Sequence, residues 1–118
     1  MSVAASCHCG ACVVAVAAAP VEVTDCNCSI CRRYGVLWAY YKPADVDLSG
    51  VGATDTYAWA DRSIAFYRCA ACGCVTHWAA VNPARQRMGI NARLLPSDVL
   101  AAARVRLLDG AVTEAYLD

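Results

Sequence analysis

Two features of this sequence predict a mainly β fold, and a third predicts a single domain. Short apolar runs alternate with turn signals along most of the chain, and no long segment has the spacing of an amphipathic helix. The chain has 118 residues, of which 59% are hydrophobic, so it can bury one compact core but is short for two ordinary domains. We therefore expect a single domain spanning residues 1–118.

The predicted elements follow in order from the apolar runs and the turn residues between them. The candidate strands are residues 12–17, 21–25, 37–41, 56–59, 64–68, 75–80 and 88–93. The expected turns are at Pro43, residues 49–52 and Asn82-Pro83. Proline and glycine favour turns there because they provide the fixed or positive φ angles that reversing strands require. A short helix is predicted from Ser97, an N-cap candidate, to residue 103, and a last strand is predicted over residues 112–117.

Composition and charge favour a soluble protein without nucleic-acid or membrane partners. Ten basic and ten acidic residues give a formal net charge of zero, and no run of one sign would attract nucleic acid or anionic lipid. The longest apolar stretch, residues 11–21, is too short to cross a bilayer and is interrupted by Pro20. The first six residues lack the basic and apolar regions of a secretory signal. We expect a cytoplasmic protein.

Nine cysteines form three tight groups, which are the strongest chemical signal in the chain. Their odd number, together with the lack of an export signal, argues against a disulfide framework and favours metal binding. The first two groups share the spacing CxCxxC, and the third has the spacing CxxCxC. The groups are Cys7, Cys9 and Cys12; Cys26, Cys28 and Cys31; and Cys69, Cys72 and Cys74.

The first and third groups predict a closed structural zinc site. Zinc in such a site has four ligands in a tetrahedron, and a tight turn with two cysteines provides two of them. A glycine directly follows Cys9 and another follows Cys72, which permits the close backbone turn of a metal-binding knuckle. Pairing the two turns would join an early loop to a late one and stabilise a small core. The predicted ligands are Cys7, Cys9, Cys69 and Cys72.

The middle group predicts a second zinc site with an open position. Its three cysteines, Cys26, Cys28 and Cys31, leave one coordination place for water or substrate, as in catalytic zinc sites. A thiol that entered this place would be deprotonated by the metal. Because several thiolates make such a site negative, nearby cations would help, and Arg32 and Arg33 are the candidate substrate-binding residues.

The residues alone leave other arrangements of the cysteines open. Cys12 or Cys74 could supply a fourth ligand to the middle group, although Cys12 lies in an apolar strand and is more typical of a core residue. His8 and His77 could bind metal or transfer protons, but their surroundings favour neither role. With both sites closed, the chain would be a non-enzymatic structural zinc module that binds a protein partner. An iron–sulfur centre, or one cluster of several zinc ions held by all the cysteines, is a further alternative.

Three cysteine-containing segments carry a family resemblance. They are Cys7-His8-Cys9-Gly10, Cys26-Asn27-Cys28-Ser29-Ile30-Cys31-Arg32-Arg33 and Cys69-Ala70-Ala71-Cys72-Gly73. In order and approximate spacing they resemble the signature motifs of the glutathione-dependent formaldehyde-activating enzyme family. The likeness extends from about Ser6 through residues 89–93. One departure is Asn27, which stands where histidine is common in the family.

The resemblance implies a fold, a metal content and an activity. The fold would be a β-tent related to zinc ribbons, with small antiparallel sheets stapled by zinc and one short C-terminal helix. A structural zinc would lie on the first four-cysteine set described above, and a second zinc on Cys26, Cys28 and Cys31. The founding activity adds glutathione to formaldehyde to give S-hydroxymethylglutathione, formally a carbon–sulfur lyase running in reverse. We therefore expect two zinc ions per chain, and as partners a thiol such as glutathione and a small aldehyde.

Overall fold

Strands form most of the regular structure in the computed structural model, which describes residues 2–118. They hold 42% of the chain, against 15% in helices, so the predicted mainly β fold is confirmed. The strands are β1 Val3–Ser6, β2 Val13–Val16, β3 Glu22–Cys26, β4 Trp38–Tyr41, β5 Val46–Asp47, β6 Thr54–Tyr57, β7 Ile64–Cys69, β8 Val75–Ala80, β9 Met88–Asn91, β10 Arg104–Asp109 and β11 Ala115–Tyr116. The helices are α1 Ser29–Tyr34 and α2 Ser97–Ala102, with short 3-10 turns at Pro43–Asp45 and Ala92–Leu94.

The strands are arranged in two sheets. The smaller sheet has the order β1-β2-β5, and the larger sheet has the order β11-β10-β3-β4-β9-β8-β7-β6. Neighbouring strands are antiparallel except for β3 and β10, which pair in parallel from Glu22 and Arg104 to Cys26 and Leu108. The parallel pair and the eight-stranded sheet both differ from the small antiparallel sheets that were expected. This pairing places the end of β3, where the middle cysteines begin, beside the end of β10.

One helix agrees with the sequence prediction and the other was missed. Helix α2 begins at Ser97, as predicted, and ends one residue before the predicted end. The N-cap is Pro96 and not Ser97, and no side chain caps the helix, so the predicted capping role of Ser97 was wrong. Helix α1 was missed because its N-cap is Cys28, and cysteine is not among the usual capping residues. The Cys28 sulfur accepts a hydrogen bond from the Cys31 N–H at 3.5 Å. A C-terminal signal was present in Gly35, which ends the helix with a φ of 69°.

Three strands, β1, β5 and β10, were also missed, and another is shifted. Strand β1 is short and only partly apolar, and β10 is a largely exposed strand whose arginines interrupt its apolar residues. Arg106 in β10 lies 3.5 Å from the carboxylates of both Glu22 and Asp118. Strand β6 begins two residues earlier than predicted, so Trp59 lies in the turn after it rather than in the strand. Apolar patterning is a weak guide where a strand lies at the surface.

The largest buried cluster lies between the two sheets. It combines Ala5, Val14 and Val16 of the smaller sheet with residues such as Val23 and Ile90 of the larger one. A second buried cluster surrounds the middle cysteines. A third contains cysteines of the turn between β1 and β2 and of the turn between β7 and β8. Within residues 2–118, no helix has the length and apolar character needed to cross a bilayer.

Candidate metal and substrate site

Four cysteines from two hairpin turns lie close together. Cys7 and Cys9 lie in the turn after β1, Cys69 ends β7, and Cys72 lies in the turn before β8. Their sulfur atoms all lie within 4.8 Å of one another, with 3.7 Å between Cys7 and Cys9 and 3.6 Å between Cys9 and Cys69. A tetrahedral zinc site with bonds of about 2.3 Å separates its sulfurs by about 3.8 Å. The four thiols therefore have the donor set and the spacing of a closed zinc site.

The backbone of both turns favours metal-binding thiolates. The glycines after Cys9 and Cys72 each have a φ of 81°, a left-handed conformation that glycine adopts without steric cost. The Cys12 N–H donates a hydrogen bond to the Cys7 sulfur at 3.3 Å. Hydrogen bonds from the backbone N–H groups of Cys74 and Cys9 lower the pKa of Cys72 to about 5. Such bonds stabilise the thiolate, which is the form that binds a metal ion.

The two additional cysteines, Cys12 and Cys74, occupy equivalent positions at the ends of these turns. Their carbonyl groups accept hydrogen bonds from the N–H groups of Cys7 and Cys69, both at 2.9 Å. Cys12 is fully buried, and its sulfur lies 3.9 Å from the carbonyl oxygen of Ala53. Within the described residues, neither cysteine belongs to a group of converging metal-ligand atoms. Both therefore close turns through the backbone and do not complete the middle group.

The middle cysteines form a second cluster at the end of β3. Cys26 is the last residue of β3, Cys28 caps α1, and Cys31 lies within that helix. Their sulfur atoms lie within 4.8 Å of one another, and no other Cys, His, Asp or Glu side chain of residues 2–118 joins them. Neither His8, which is exposed, nor His77, which is buried in β8, belongs to either cluster. Three protein ligands are the usual number in catalytic zinc sites.

Hydrogen bonding makes the three thiols unequal. The Trp38 Nε1–H donates to the Cys31 sulfur at 3.3 Å. A hydrogen bond with the Cys31 thiol lowers the pKa of Cys26 to about 6, and the same contact raises the pKa of Cys31. Cys26 therefore carries the negative charge of this pair near neutral pH, and Cys31 keeps the proton until a bound cation displaces it.

Behind the cluster lie Gly110, which sequence reasoning missed, and the contacts of Asn27, which the sequence did not reveal. Gly110, just after β10, packs so closely that a Cβ there would lie 2.5 Å from the Cys26 sulfur. The Asn27 side chain donates to the Asp109 carboxylate at 3.1 Å and accepts from the Ala111 N–H at 3.0 Å. The sequence signal was the turn pattern at residues 109–110, which does not show what the turn packs against.

A cavity of about 210 Å³ opens beside the three cysteines. Its wall is formed mainly by aromatic side chains, and the charged residue among its lining is Arg85. The Arg85 guanidinium lies 5.4 Å from the centroid of the Trp78 ring. The aromatic lining residues are Trp38, Tyr40, Trp59, Phe66 and Trp78. The cluster therefore meets a largely apolar space.

The predicted substrate-binding arginines lie apart from this cavity. Arg32 is exposed and does not line this cavity, nor does it line the cavity beside Arg33 that is described below. The Arg33 guanidinium donates to the carbonyl oxygen of Ser29 at 2.8 Å. Arg33 also lines a different cavity, of about 390 Å³, together with Arg68 and Arg93. Within residues 2–118 none of these arginines forms a salt bridge, so the second cavity is a cationic cleft.

The fold and the two clusters define a small β-rich protein with cysteine donor sets that could hold two metal ions. The family of the glutathione-dependent formaldehyde-activating enzyme matches residues 2–105, and the chain belongs to this family. A crystal structure of a Rhodobacter sphaeroides protein is similar, with a TM-score of 0.68 and 26% sequence identity over 89% of this chain and 99% of that chain. No curated protein matches the chain. The family predicted from the cysteine motifs is therefore confirmed.

Proposed function

We propose that this chain catalyses the addition of glutathione, or a similar thiol, to formaldehyde or another small aldehyde. In this reaction the S–H bond breaks, a carbon–sulfur bond forms, and the carbonyl oxygen gains a proton. The reaction is that of a carbon–sulfur lyase in the reverse direction. One observation carries the proposal: a three-cysteine cluster, with no fourth protein ligand among the described residues, adjoins a cavity.

Two zinc ions per chain are part of the proposal. The structural ion would be held by Cys7, Cys9, Cys69 and Cys72. The second would be held by Cys26, Cys28 and Cys31. Both sets are soft sulfur donors whose atoms lie within 4.8 Å of one another, which fits zinc. Zinc at the three-cysteine cluster would act as a Lewis acid and favour the deprotonated form of an incoming thiol.

The chain's own groups would prepare the site for the aldehyde. Trp38 donates its indole N–H to the Cys31 sulfur, and the aromatic walls give the reacting atoms largely apolar surroundings. Tyr40 has the one hydroxyl group among the residues that line the cavity. Burial raises the pKa of Tyr40 to about 12, so this hydroxyl stays protonated at neutral pH. It can therefore donate a hydrogen bond to the carbonyl oxygen.

Cations near helix α1 would bind the carboxylates of the thiol. Arg32 and Arg33 are the residues that we assign to this role. Arg33 has the stronger support, because it shares a cavity with Arg68 and Arg93, where one carboxylate could meet more than one guanidinium.

Thiol addition by the purified, zinc-loaded protein tests the proposal. The rate of adduct formation from glutathione and formaldehyde is followed by NMR, and the uncatalysed rate is subtracted. We expect net catalysis that falls about tenfold or more in Cys31→Ser, because this change removes one of three ligands. Cys74→Ser is the matched control, since it removes a thiol outside both clusters and should keep the wild-type rate.

A rate no faster than the uncatalysed reaction, measured with two zinc ions bound per chain, would contradict the proposal. The structural zinc module that binds a protein partner would then be the better interpretation. Loss of catalysis in Cys74→Ser as well as Cys31→Ser would also contradict it, because the effect would not be specific to the three-cysteine cluster.

A further inference from the structure

The cavity beside the three-cysteine cluster is much larger than formaldehyde. It measures about 210 Å³, and an apolar cavity of about 150 Å³ is enough for a benzene ring. An aldehyde with two heavy atoms would leave most of this space to water. The cavity therefore has room for a substituent on the carbonyl carbon.

Buried aromatic rings give the cavity a wall suited to a flat apolar group. Trp38, Phe66 and Trp78 are only 2%, 4% and 5% exposed. The rings of Trp38 and Phe66 have centroids 6.0 Å apart, and those of Tyr40 and Trp78 are 6.2 Å apart. Gly89 on the neighbouring strand leaves the space that the Trp78 ring occupies, because a Cβ there would clash with the indole nitrogen. Such rings bind other rings through offset or edge-to-face contacts.

The mouth of the cavity exposes a further aromatic side chain. Trp59 lies in the turn between β6 and β7 and is 40% exposed. The same turn is closed by a hydrogen bond from the Arg62 N–H to the Trp59 carbonyl at 3.0 Å. An apolar group that entered the cavity would cover part of this indole and remove it from water.

Arg85, the cation at the mouth of the cavity, does not make the cavity an anion-binding site. The exposed Arg85 lies against the Trp78 ring. Hydrogen bonds from the Ser63 N–H and hydroxyl lower the pKa of the Asp61 carboxyl, and the Arg85 charge adds the smallest contribution. The cation therefore already has an aromatic and an acidic neighbour. Glutathione has charged ends that an apolar wall would desolvate at a cost. An uncharged carbonyl substrate suits the cavity better than the thiol does.

We propose that this cavity binds the side group of the carbonyl substrate, and that the preferred substrate is an aldehyde with an aromatic or branched apolar group. The proposal rests on the thiol addition proposed above for the reaction itself. The bond changes are the same as in that reaction. The thiol sulfur loses its proton and bonds to the aldehyde carbon, and the carbonyl oxygen gains a proton. What the proposal adds to the thiol addition is the class of aldehyde.

Binding is tested first in the absence of any reaction. Zinc-loaded, ¹⁵N-labelled protein is titrated with 2-phenylethanol, which has an aromatic ring but no carbonyl group. We expect saturable NMR shifts of the indole N–H signals of Trp59 and Trp78, and no such shifts with glutathione alone. The Trp38 signal is not used, because this indole bonds to Cys31 and would respond to a zinc-bound thiol as well. Ile64→Phe places extra volume in the cavity and should weaken binding about tenfold. Leu107→Phe, on an exposed position of β10, is the matched control and should bind as the wild type does.

Turnover is then compared for phenylacetaldehyde and formaldehyde with glutathione. We expect kcat/KM to be about tenfold or more higher for phenylacetaldehyde, because its ring fills the cavity. The ratio of the two kcat/KM values should fall in Ile64→Phe and stay unchanged in Leu107→Phe.

The outcomes separate this proposal from the proposed reaction. If formaldehyde reacts but 2-phenylethanol does not shift the indole signals, the aldehyde class is wrong and the reaction stands. If glutathione shifts those signals and displaces 2-phenylethanol, the cavity belongs to the thiol and the proposal is overturned. If the signals shift and no aldehyde reacts, the proposed reaction is wrong, and the substrate class falls with it.

Discussion

At the scale of single residues, Gly110 has a role that its position in a turn does not reveal. A Cβ at this position would lie 2.5 Å from the Cys26 sulfur and 3.3 Å from the Cβ of Cys28. Real Cβ atoms do not approach sulfur this closely, so a larger residue must displace one of the cysteines. The identity of residue 110 therefore determines whether the three-cysteine cluster can keep its arrangement.

Replacement of Gly110 should weaken metal binding at that cluster alone. We expect Gly110→Ala to retain about one zinc ion per chain after dialysis, where the wild type retains both, because the added methyl group displaces Cys26 and does not reach the four-cysteine cluster. Zinc per chain is measured by mass spectrometry. Ala111→Ser, an exposed neighbour in the same turn, should retain the wild-type content. Two tightly held zinc ions in Gly110→Ala would contradict the role given to this glycine.

His77 is a buried residue whose ionisation affects stability and not the proposed site. It is 2% exposed, its ring stacks on Tyr67 with centroids 4.4 Å apart, and its Nδ1 lies 2.8 Å from the Thr76 hydroxyl oxygen. Burial lowers its pKa from 6.5 to about 4. Between these two pH values the unfolded chain binds a proton that the folded chain does not.

The free energy of unfolding should therefore fall as the pH decreases from 6.5 to 4. This residue contributes a loss of up to about 3 kcal/mol, which ends below pH 4, where His77 is protonated in both states. Urea denaturation of wild type and His77→Gln at each pH isolates the effect, because the other titrating groups are common to both proteins. The stability of wild type relative to His77→Gln should decrease through this window. A difference that stays constant with pH would rule out a neutral buried His77.

At the scale of elements, the loop after β3 is held by the turn between β10 and β11. The Asn27 N–H donates to the Leu108 carbonyl at 3.1 Å, and its side chain bonds to Asp109 and Ala111. Asn27 lies between two cysteines of the cluster, so these three bonds orient the ligands on either side of it. Groups that orient ligands in this way commonly control how tightly a metal ion is held.

Loss of the Asn27 side chain should lower the zinc affinity of the three-cysteine cluster. We expect a decrease of about 10- to 100-fold in Asn27→Ala, measured by competition with a chromophoric chelator. The four-cysteine cluster should be unaffected. Asn82→Ala removes a similar side chain from a distant turn, where it accepts a hydrogen bond from the Ala84 N–H. If both variants bind zinc as tightly as the wild type, the contact between the loop after β3 and the turn after β10 does not affect metal binding.

The sequence predicted the elements whose patterns are local. Apolar runs identified most strands of the buried sheet, and proline and serine identified the start of α2. Helix α1 and strand β10 were missed, because one is capped by a cysteine and the other is held by ion pairs and by a partner far away in sequence. The same distinction applies to the site. Cysteine spacing grouped the thiols, whereas Gly110 and the aromatic cavity depend on pairings between distant strands.

At the scale of the whole molecule, the two clusters differ in what they connect. The four-cysteine cluster joins the β1–β2 turn of the smaller sheet to the β7–β8 turn of the larger one. The three-cysteine cluster lies beside the larger sheet alone, between β3, α1 and the turn after β10. A chain of 118 residues buries a modest core. Metal that binds only the folded form therefore contributes directly to folding, most of all where it links two sheets.

Loss of the four-cysteine cluster should therefore destabilise the protein far more than loss of the other. We expect Cys72→Ser to lower the midpoint of thermal unfolding by more than about 10 °C and Cys28→Ser by only about 3 °C. Circular dichroism gives both midpoints, and mass spectrometry checks that each zinc-loaded variant has lost one ion. The two cysteines are similarly half-buried, and serine can still cap α1 at position 28, so the comparison isolates the metal. Equal midpoints would mean that the apolar core between the sheets holds them together without the four-cysteine cluster.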